Sequence, residues 1–229
     1  MGTIEAIIFD LDGTLLDTNE AHVEAWVTGF RAHGHEVPAG RVRPEVGKGG
    51  DKLLPSILGE DIDREHGDAI RASVAAAFRA LATSRTFGVF DGALPLLEEL
   101  KRRGVRLALA TSSQEEDLDL MMQSAGTDLR TSFDAVVTRS DVDASKPDPD
   151  VIECALEKLD LPPTHCLMIG DTQYDVASAR KAGVATVGVL TSGMADAEEM
   201  RRRLVGAGAA VVVRDLTEVL RRLDELLAM

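Results

Sequence analysis

Six short stretches rich in Val, Ile, Leu and Ala punctuate the chain, at residues 6–9, 106–110, 135–138, 166–169, 185–189 and 210–213. Each is a near-continuous apolar run, the pattern of a strand covered on both faces. From residue 89 onward apolar positions between these runs recur at helical spacing, over 93–103, 114–124, 150–159, 174–182 and 195–204, and a last helical stretch at 216–227 closes the chain. Strand, turn and helix repeated in that order predict a doubly wound α/β core around a parallel sheet.

Residues 19–87 break the rhythm. Val23, Val27 and Phe30 repeat at helical spacing, as do Ile70, Val74, Phe78 and Leu81, with no strand pattern between them. This predicts a helical domain, 19–87, inserted into a catalytic core made of 1–18 and 88–229, with its two connections near 17–19 and 87–91 as hinges. A length of 229 residues and 45% hydrophobic content suit one such core with an insertion.

Charge narrows the partners. With 39 acidic and 25 basic residues the formal net charge is −14, which argues against nucleic acid or an anionic membrane as partner, since both need a basic footprint. An anionic small molecule must be captured by a local positive site against a repulsive field. Cys154 and Cys166 have no metal-ligand spacing and read as small apolar residues of a reducing compartment. The apolar run 207–213 is too short to cross a bilayer, and the opening MGTIEA has neither a basic leader region nor Ser or Thr at the sixth place. The expectation is a cytoplasmic protein, monomer or dimer.

In a doubly wound sheet ligands bind beyond the carboxyl ends of the strands. Read in order, those positions hold Asp10 and Asp12, then Thr111 and Ser112, then Lys146, then Asp171 and Asp175. Four carboxylates gathered at one edge repel one another unless a cation neutralises them. Oxygen-only ligands without His or Cys suit Mg²⁺, which uses one or two carboxylates together with a substrate phosphate. The stretch AIIFDLDGTLLDT, residues 6–18, then makes chemical sense. One acid can attack phosphorus while the other handles protons. Gly13 permits the turn, and the Gly13 and Thr14 amides form a candidate anion nest. Thr111 would donate to a phosphoryl oxygen, Lys146 would offset the charge of the transferring group, and Asp171 would complete the metal site.

Four segments in this order, FDLDGTLLD, LALATSS, SKPDPD and GDTQYD, resemble the four motifs of the haloacid dehalogenase superfamily, in its subgroup with a helical cap, and the match runs over nearly the whole chain. The resemblance implies Asp10 as nucleophile, Asp12 as acid/base, and Thr111 and Lys146 as phosphate binders. It implies Asp10, Asp171 and the main-chain carbonyl of Asp12 as metal ligands, with Asp175 supporting. The dehalogenase branch lacks an aspartate at the place of Asp12, so phosphomonoester hydrolysis of a small phosphorylated metabolite is the expected chemistry.

In the cap the glycine-rich stretch VGKGGDKLL, 46–54, offers Lys48 and Lys52 as substrate contacts; neither this stretch nor GAGAAV at 206–211 has the order of a nucleotide loop. DTNEAHVEAW, 17–26, resembles the β-phosphoglucomutase branch, in which a histidine at the place of His22 lies at the cap hinge, and it keeps phosphoryl transfer between sugar positions as an alternative. A phosphonate hydrolase would need a Schiff-base lysine, for which Lys48 and Lys52 are the formal candidates. A phosphorylatable signalling module without turnover is the alternative of another class. Trp26 reads as packing.

Overall fold

The computed structural model describes residues 4–191, 193 and 195–229; the first three residues of the MGTIEA opening lie outside them. β1 (Ala6–Phe9) is followed by four helices, α1 (Asn19–Ala32), α2 (Ala39–Val42), α3 (Gly50–Leu58) and α4 (Glu60–Ser84), before α5 (Ala93–Arg102) leads into β2 (Arg106–Ala110). Then come α6 (Glu115–Ala125), β3 (Ala135–Val137), α7 (Asp150–Leu159), β4 (Cys166–Gly170), α8 (Gln173–Lys181), β5 (Ala185–Val189), α9 (Ala197–Ala207), β6 (Val211–Val213), α10 (Leu216–Arg221) and α11 (Leu223–Leu226).

All the strand pairings are parallel, in the order β3-β2-β1-β4-β5-β6. Strand alternation divides the sheet's side chains between two cores. Ile7, Phe9, Leu107, Leu109, Leu167 and Ile169 belong to one, shared with α5, α6 and α10; Ala6, Ile8, Ala108, Ala110 and Met168 belong to the other, under α7 and α8. Because both faces are covered, the strands carry no polar alternation, which is why they stand out as apolar runs. The chain order reverses between β1 and β4, and such a switch point opens a crevice beyond the carboxyl ends of those two strands.

Element boundaries move from the expected ones where a side chain ends an element. β3 stops at Val137 because Thr138 accepts from the Ser140 amide and opens a capped 3₁₀ turn, Arg139–Asp141. α9 starts at Ala197, after Asp196 takes the amides of Glu198 and Glu199. The stretch 216–227, expected as one helix, is two. The Arg222 amide is shared between the carbonyls of Glu218 and Val219, closing α10, and the backbone turns so that Leu223 and Leu226 stay in the core with Leu216 and Val219.

Between β1 and α5 the elements are helical, as the 3.6-residue spacing predicts. α1 and α4 pack tightly, with Trp26, Phe30, Val74 and Phe78 buried. Gly29 is the point of closest approach: a Cβ there would lie 2.3 Å from Val74 Cγ2 and 3.0 Å from the Val74 amide nitrogen. Alanine inside a helix normally stabilises by roughly 0.5–1 kcal/mol over glycine. Here the collision reverses the sign, so Gly29→Ala lowers stability by about 1–3 kcal/mol, the usual cost of overpacking, read as a lower midpoint in urea unfolding.

Candidate active site

β1 delivers Asp10 to the crevice, and the Asp10 amide, donating to the Ile169 carbonyl at 3.0 Å, ties that end to β4. β4 delivers Asp171, and Asp175 follows in the first turn of α8. There Thr172 and Asp175 form a reciprocal capping box, the Asp175 carboxylate accepting from the Thr172 amide at 2.9 Å. Gly170 permits that approach, since a Cβ at 170 would stand 2.6 Å from the Asp175 side chain. Lys146 enters from the loop after β3. Its ammonium lies 2.6 Å from Asp10 and 2.7 Å from Asp175, and donates to the Ala110 carbonyl at 2.8 Å. All four side chains are nearly sealed, from 6% exposure at Asp10 to 1% at Lys146 and Asp175.

Burial, and next the neighbouring Asp175, push the Asp10 carboxyl well above its ordinary range; Lys146 opposes them, while Asp171 and Asp12 add to the rise. Burial alone would lower Lys146, but Asp10 and Asp175 outweigh it and hold the side chain as an ammonium. One ammonium among three carboxylates leaves surplus negative charge. Asp10, Asp171 and Asp175 each offer an oxygen within 4.8 Å of the others. The donor set is oxygen only, the site is buried, and a divalent cation fits it. Two further details support that fit. Asn19 donates to Asp171 at 3.2 Å while its own Oδ1 is buried without a partner. At Gly13, with φ +78°, a Cβ would fall 2.4 Å from Asp171 Oδ2.

Asp12 has the opposite surroundings. It accepts from Thr18 at 2.6 Å, Ser113 at 3.0 Å and Thr111 at 3.2 Å, and His22 Nε2 stands 2.9 Å away. Burial works to raise its carboxyl, but the His22 charge and hydrogen bond, with Thr18 and Ser113, bring it down to about 2. His22 is held in turn by stacking on Phe78, with ring centroids 4.2 Å apart and planes 9° apart.

Asp10, Asp12, His22, Lys48 and Ser112 line one cavity of about 420 Å³ between the sheet edge and the helical segment, whose wall also includes Trp26, residues 46–51 and α4. The Ser112 hydroxyl is buried there without a partner, whereas Thr111 is wholly buried behind it and engaged with Asp12. Trp26 packs against Phe30, 5.3 Å between ring centroids, and faces the cavity as well.

Several expectations change. The Gly13 and Thr14 amides form no open nest, because they donate to the Leu16 and Leu11 carbonyls within the turn itself. Gly13 instead gives close approach to Asp171, and Thr14 acts through its hydroxyl, which donates to Asp171 at 3.0 Å. Lys52 stands outside the cavity wall, held 2.7 Å from Asp148, and that hydrogen bond raises its pKa. The Lys48 ammonium pairs with Glu45 and sits 5.0 Å above the Tyr174 ring. Both lysines are held in ion pairs, Lys48 with Glu45 and Lys52 with Asp148. Thr18, Asn19 and Ser113 were not singled out from the sequence, although TSS at 111–113 carries the signal of consecutive hydroxyls after a strand. Nor was the link between the helical segment and the Lys146 loop: Ser145 accepts from the Gly49 amide at 3.1 Å and donates to Asp51 at 2.5 Å.

The haloacid dehalogenase-like hydrolase family model matches residues 7–189. Validoxylamine A 7'-phosphate phosphatase of Streptomyces hygroscopicus subsp. limoneus is 30% identical over 216 residues, 93% of this chain and 94% of that one. Pyrophosphatase PpaX of Bacillus velezensis is 32% identical over 187 residues, covering 81% and 83%. Among solved structures, a hydrolase from Pseudomonas syringae superposes with a TM-score of 0.86 at 32% identity, covering 96% of this chain and 98% of that one. No helix among the described residues is long and apolar enough to cross a membrane. A parallel sheet with its acids at the β1/β4 switch point, a family match over most of the chain, and relatives of this extent lead to one conclusion: the chain belongs to the haloacid dehalogenase-like hydrolases and is a phosphatase of that family.

Proposed function

We propose that the protein is a Mg²⁺-dependent phosphomonoester hydrolase that works on a small phosphorylated metabolite through an aspartyl-phosphate on Asp10. In this reading residues 19–87 act as a cap over a core formed by 1–18 and 88–229. The observation that carries it is the contrast between two carboxylates two residues apart, both facing one cavity. Asp10 sits against Lys146 and the acid cluster, while Asp12 sits in a ring of hydroxyls with His22.

A cation held by Asp10, Asp171 and the Asp12 carbonyl, with Asp175 in support, would supply the positive charge that lets a dianionic phosphate approach. Lys146 offsets charge on the phosphoryl oxygens and, together with the cation, would oppose the burial and carboxylates that press Asp10 to take a proton. The Asp10 carboxylate forms a bond to phosphorus as the ester P–O bond breaks. Asp12 delivers a proton to the departing alcohol oxygen, and His22 is the group placed to supply it. Asp12, now a carboxylate, accepts a proton from the water that attacks the phosphoryl group, releasing phosphate and restoring Asp10. Ser112 is free to donate to a phosphoryl oxygen. Simple hydrolysis is preferred to transfer between sugar positions because several relatives at 30% identity or above are named as phosphatases or pyrophosphatases. A signalling switch without turnover would give the ordered Asp12 network no task.

Asp10→Asn is expected to abolish phosphate release from p-nitrophenyl phosphate, and Asp12→Asn to lower kcat by ~10²–10⁴, the usual scale of general acid–base help. Retained turnover without Asp10 would exclude the covalent route, and a single stoichiometric phosphorylation of the wild type would favour the switch. Chelation by EDTA should silence the enzyme and added Mg²⁺ restore it; indifference to chelator removes the cation from the mechanism. His22→Gln removes the main influence that lowers Asp12, so the Asp12 carboxyl rises from about 2 toward its ordinary value. Asp12 then keeps its proton to higher pH, and the limb of the kcat/KM profile that reports Asp12 should move upward.

A further inference from the structure

We propose that the cavity selects monophosphate esters of neutral alcohols and rejects substrates that carry a second anionic group. The inference rests on the phosphatase reading and adds a charge class to the leaving group.

A second phosphate needs a guanidinium or ammonium free to receive it. Among the described residues lining the cavity beyond the acid cluster, each such cation is already engaged. Arg71 of α4 holds Asp63 and, at 2.8 Å, Asp68, both from its own helix. Arg139 is fixed by the Val142 and Asp143 carbonyls and stands 3.5 Å from Asp51, which Ser145 holds in turn. Lys48 is paired with Glu45. Three carboxylates, Asp51, Asp68 and Asp117, line the same cavity, and Asp117 is met by Arg79 at 3.1 Å. A second phosphate would have to displace a carboxylate from one of these cations, in the field of a chain of net charge −14.

The remaining wall suits a neutral group. Trp26, Leu53, Val74 and Phe78 make one apolar side, and Gly47, Gly49 and Gly50 bring bare main chain to another. A hydroxylated ring presents a C–H face to the first and hydroxyl groups to the second. The glycines are there for closeness of approach: a Cβ at Gly49 would lie 2.4 Å from Ser145, and one at Gly47 2.7 Å from Thr172. That stretch crosses the core too closely to carry long charged side chains at these places.

The test uses the full chain with Mg²⁺ and p-nitrophenyl phosphate as reporter substrate. Fructose 6-phosphate, fructose 1,6-bisphosphate and inorganic pyrophosphate are compared as competitors by their inhibition constants. The monophosphate should bind at least about tenfold more tightly than either of the others, a difference of one decade in dissociation constant. Equal or tighter binding of the bisphosphate or pyrophosphate overturns the inference while leaving the phosphatase reading in place. Absence of reporter turnover removes the phosphatase reading and the inference together. The double variant Asp63→Asn with Asp68→Asn releases Arg71, and the bisphosphate-to-monophosphate preference should then shift toward the bisphosphate by about tenfold. An unshifted preference shows that the paired arginine is not what excludes the second charge.

Discussion

The Lys146 ammonium, sealed between Asp10 and Asp175, is the interaction around which the rest of the site is arranged. Desolvating such groups costs several kcal/mol each, and apolar residues of similar volume often serve stability equally well. The cluster is therefore poorly explained as a device for holding the fold together. It is well explained as a device for opposing the protonation of an acidic nucleophile in a place where burial and three further carboxylates, Asp175, Asp171 and Asp12, press it to take a proton. The surplus of negative charge that remains is the reason a divalent cation belongs there. The overall charge of −14 makes the same demand at longer range, since a net negative charge repels an approaching phosphate.

The sheet supplies the position and the helical segment supplies the enclosure. Asp10 and Asp171 meet because β1 and β4 are neighbours in register, Phe9 opposite Ile169, although the residues lie far apart in the chain. Lys146 reaches them from a loop that is itself fastened to α3, through Ser145 with Asp51 and Asp148 with Lys52. Lys52, which looks like a substrate contact in the sequence, instead braces the loop that carries the site lysine. The helical segment and the loop that carries Lys146 are thus joined by polar contacts.

Much of this was legible in the sequence because it depends on local features. Strands covered on both faces announce themselves as apolar runs, and the acids, hydroxyls and lysine stand just beyond them. What was not legible depends on where a side chain or amide finds its partner. The Gly13 and Thr14 amides look available in a linear reading, but the turn uses them itself. Thr138 and Asp196 moved element ends because their side chains intercept amides that a longer strand or earlier helix would leave free. Thr18 and Asn19, at the start of α1, resemble ordinary helix-entry residues, yet neither caps that helix: one holds Asp12 and the other Asp171. Ordinary capping would have been the better guess from sequence, and only the fold redirects them.

The spacing of Asp10 and Asp12 by a single residue carries the deepest consequence. Two carboxylates so close in the chain would share one environment if the strand ran straight on. β1 ends at Phe9, Leu11 returns to the apolar core, and Gly13 turns the backbone at φ +78°. Asp10 is thereby turned toward the acid cluster and Asp12 toward the hydroxyls of Thr18, Thr111 and Ser113. Burial and neighbouring carboxylates raise the first, whereas at the second the charge of His22, with hydrogen bonds from His22, Thr18 and Ser113, outweighs burial and lowers it. Division of labour between nucleophile and proton carrier needs such a separation, because identical carboxylates in identical surroundings would compete for one proton. A glycine without a Cβ, close against Asp171, is what allows the turn to be this tight at a site this crowded.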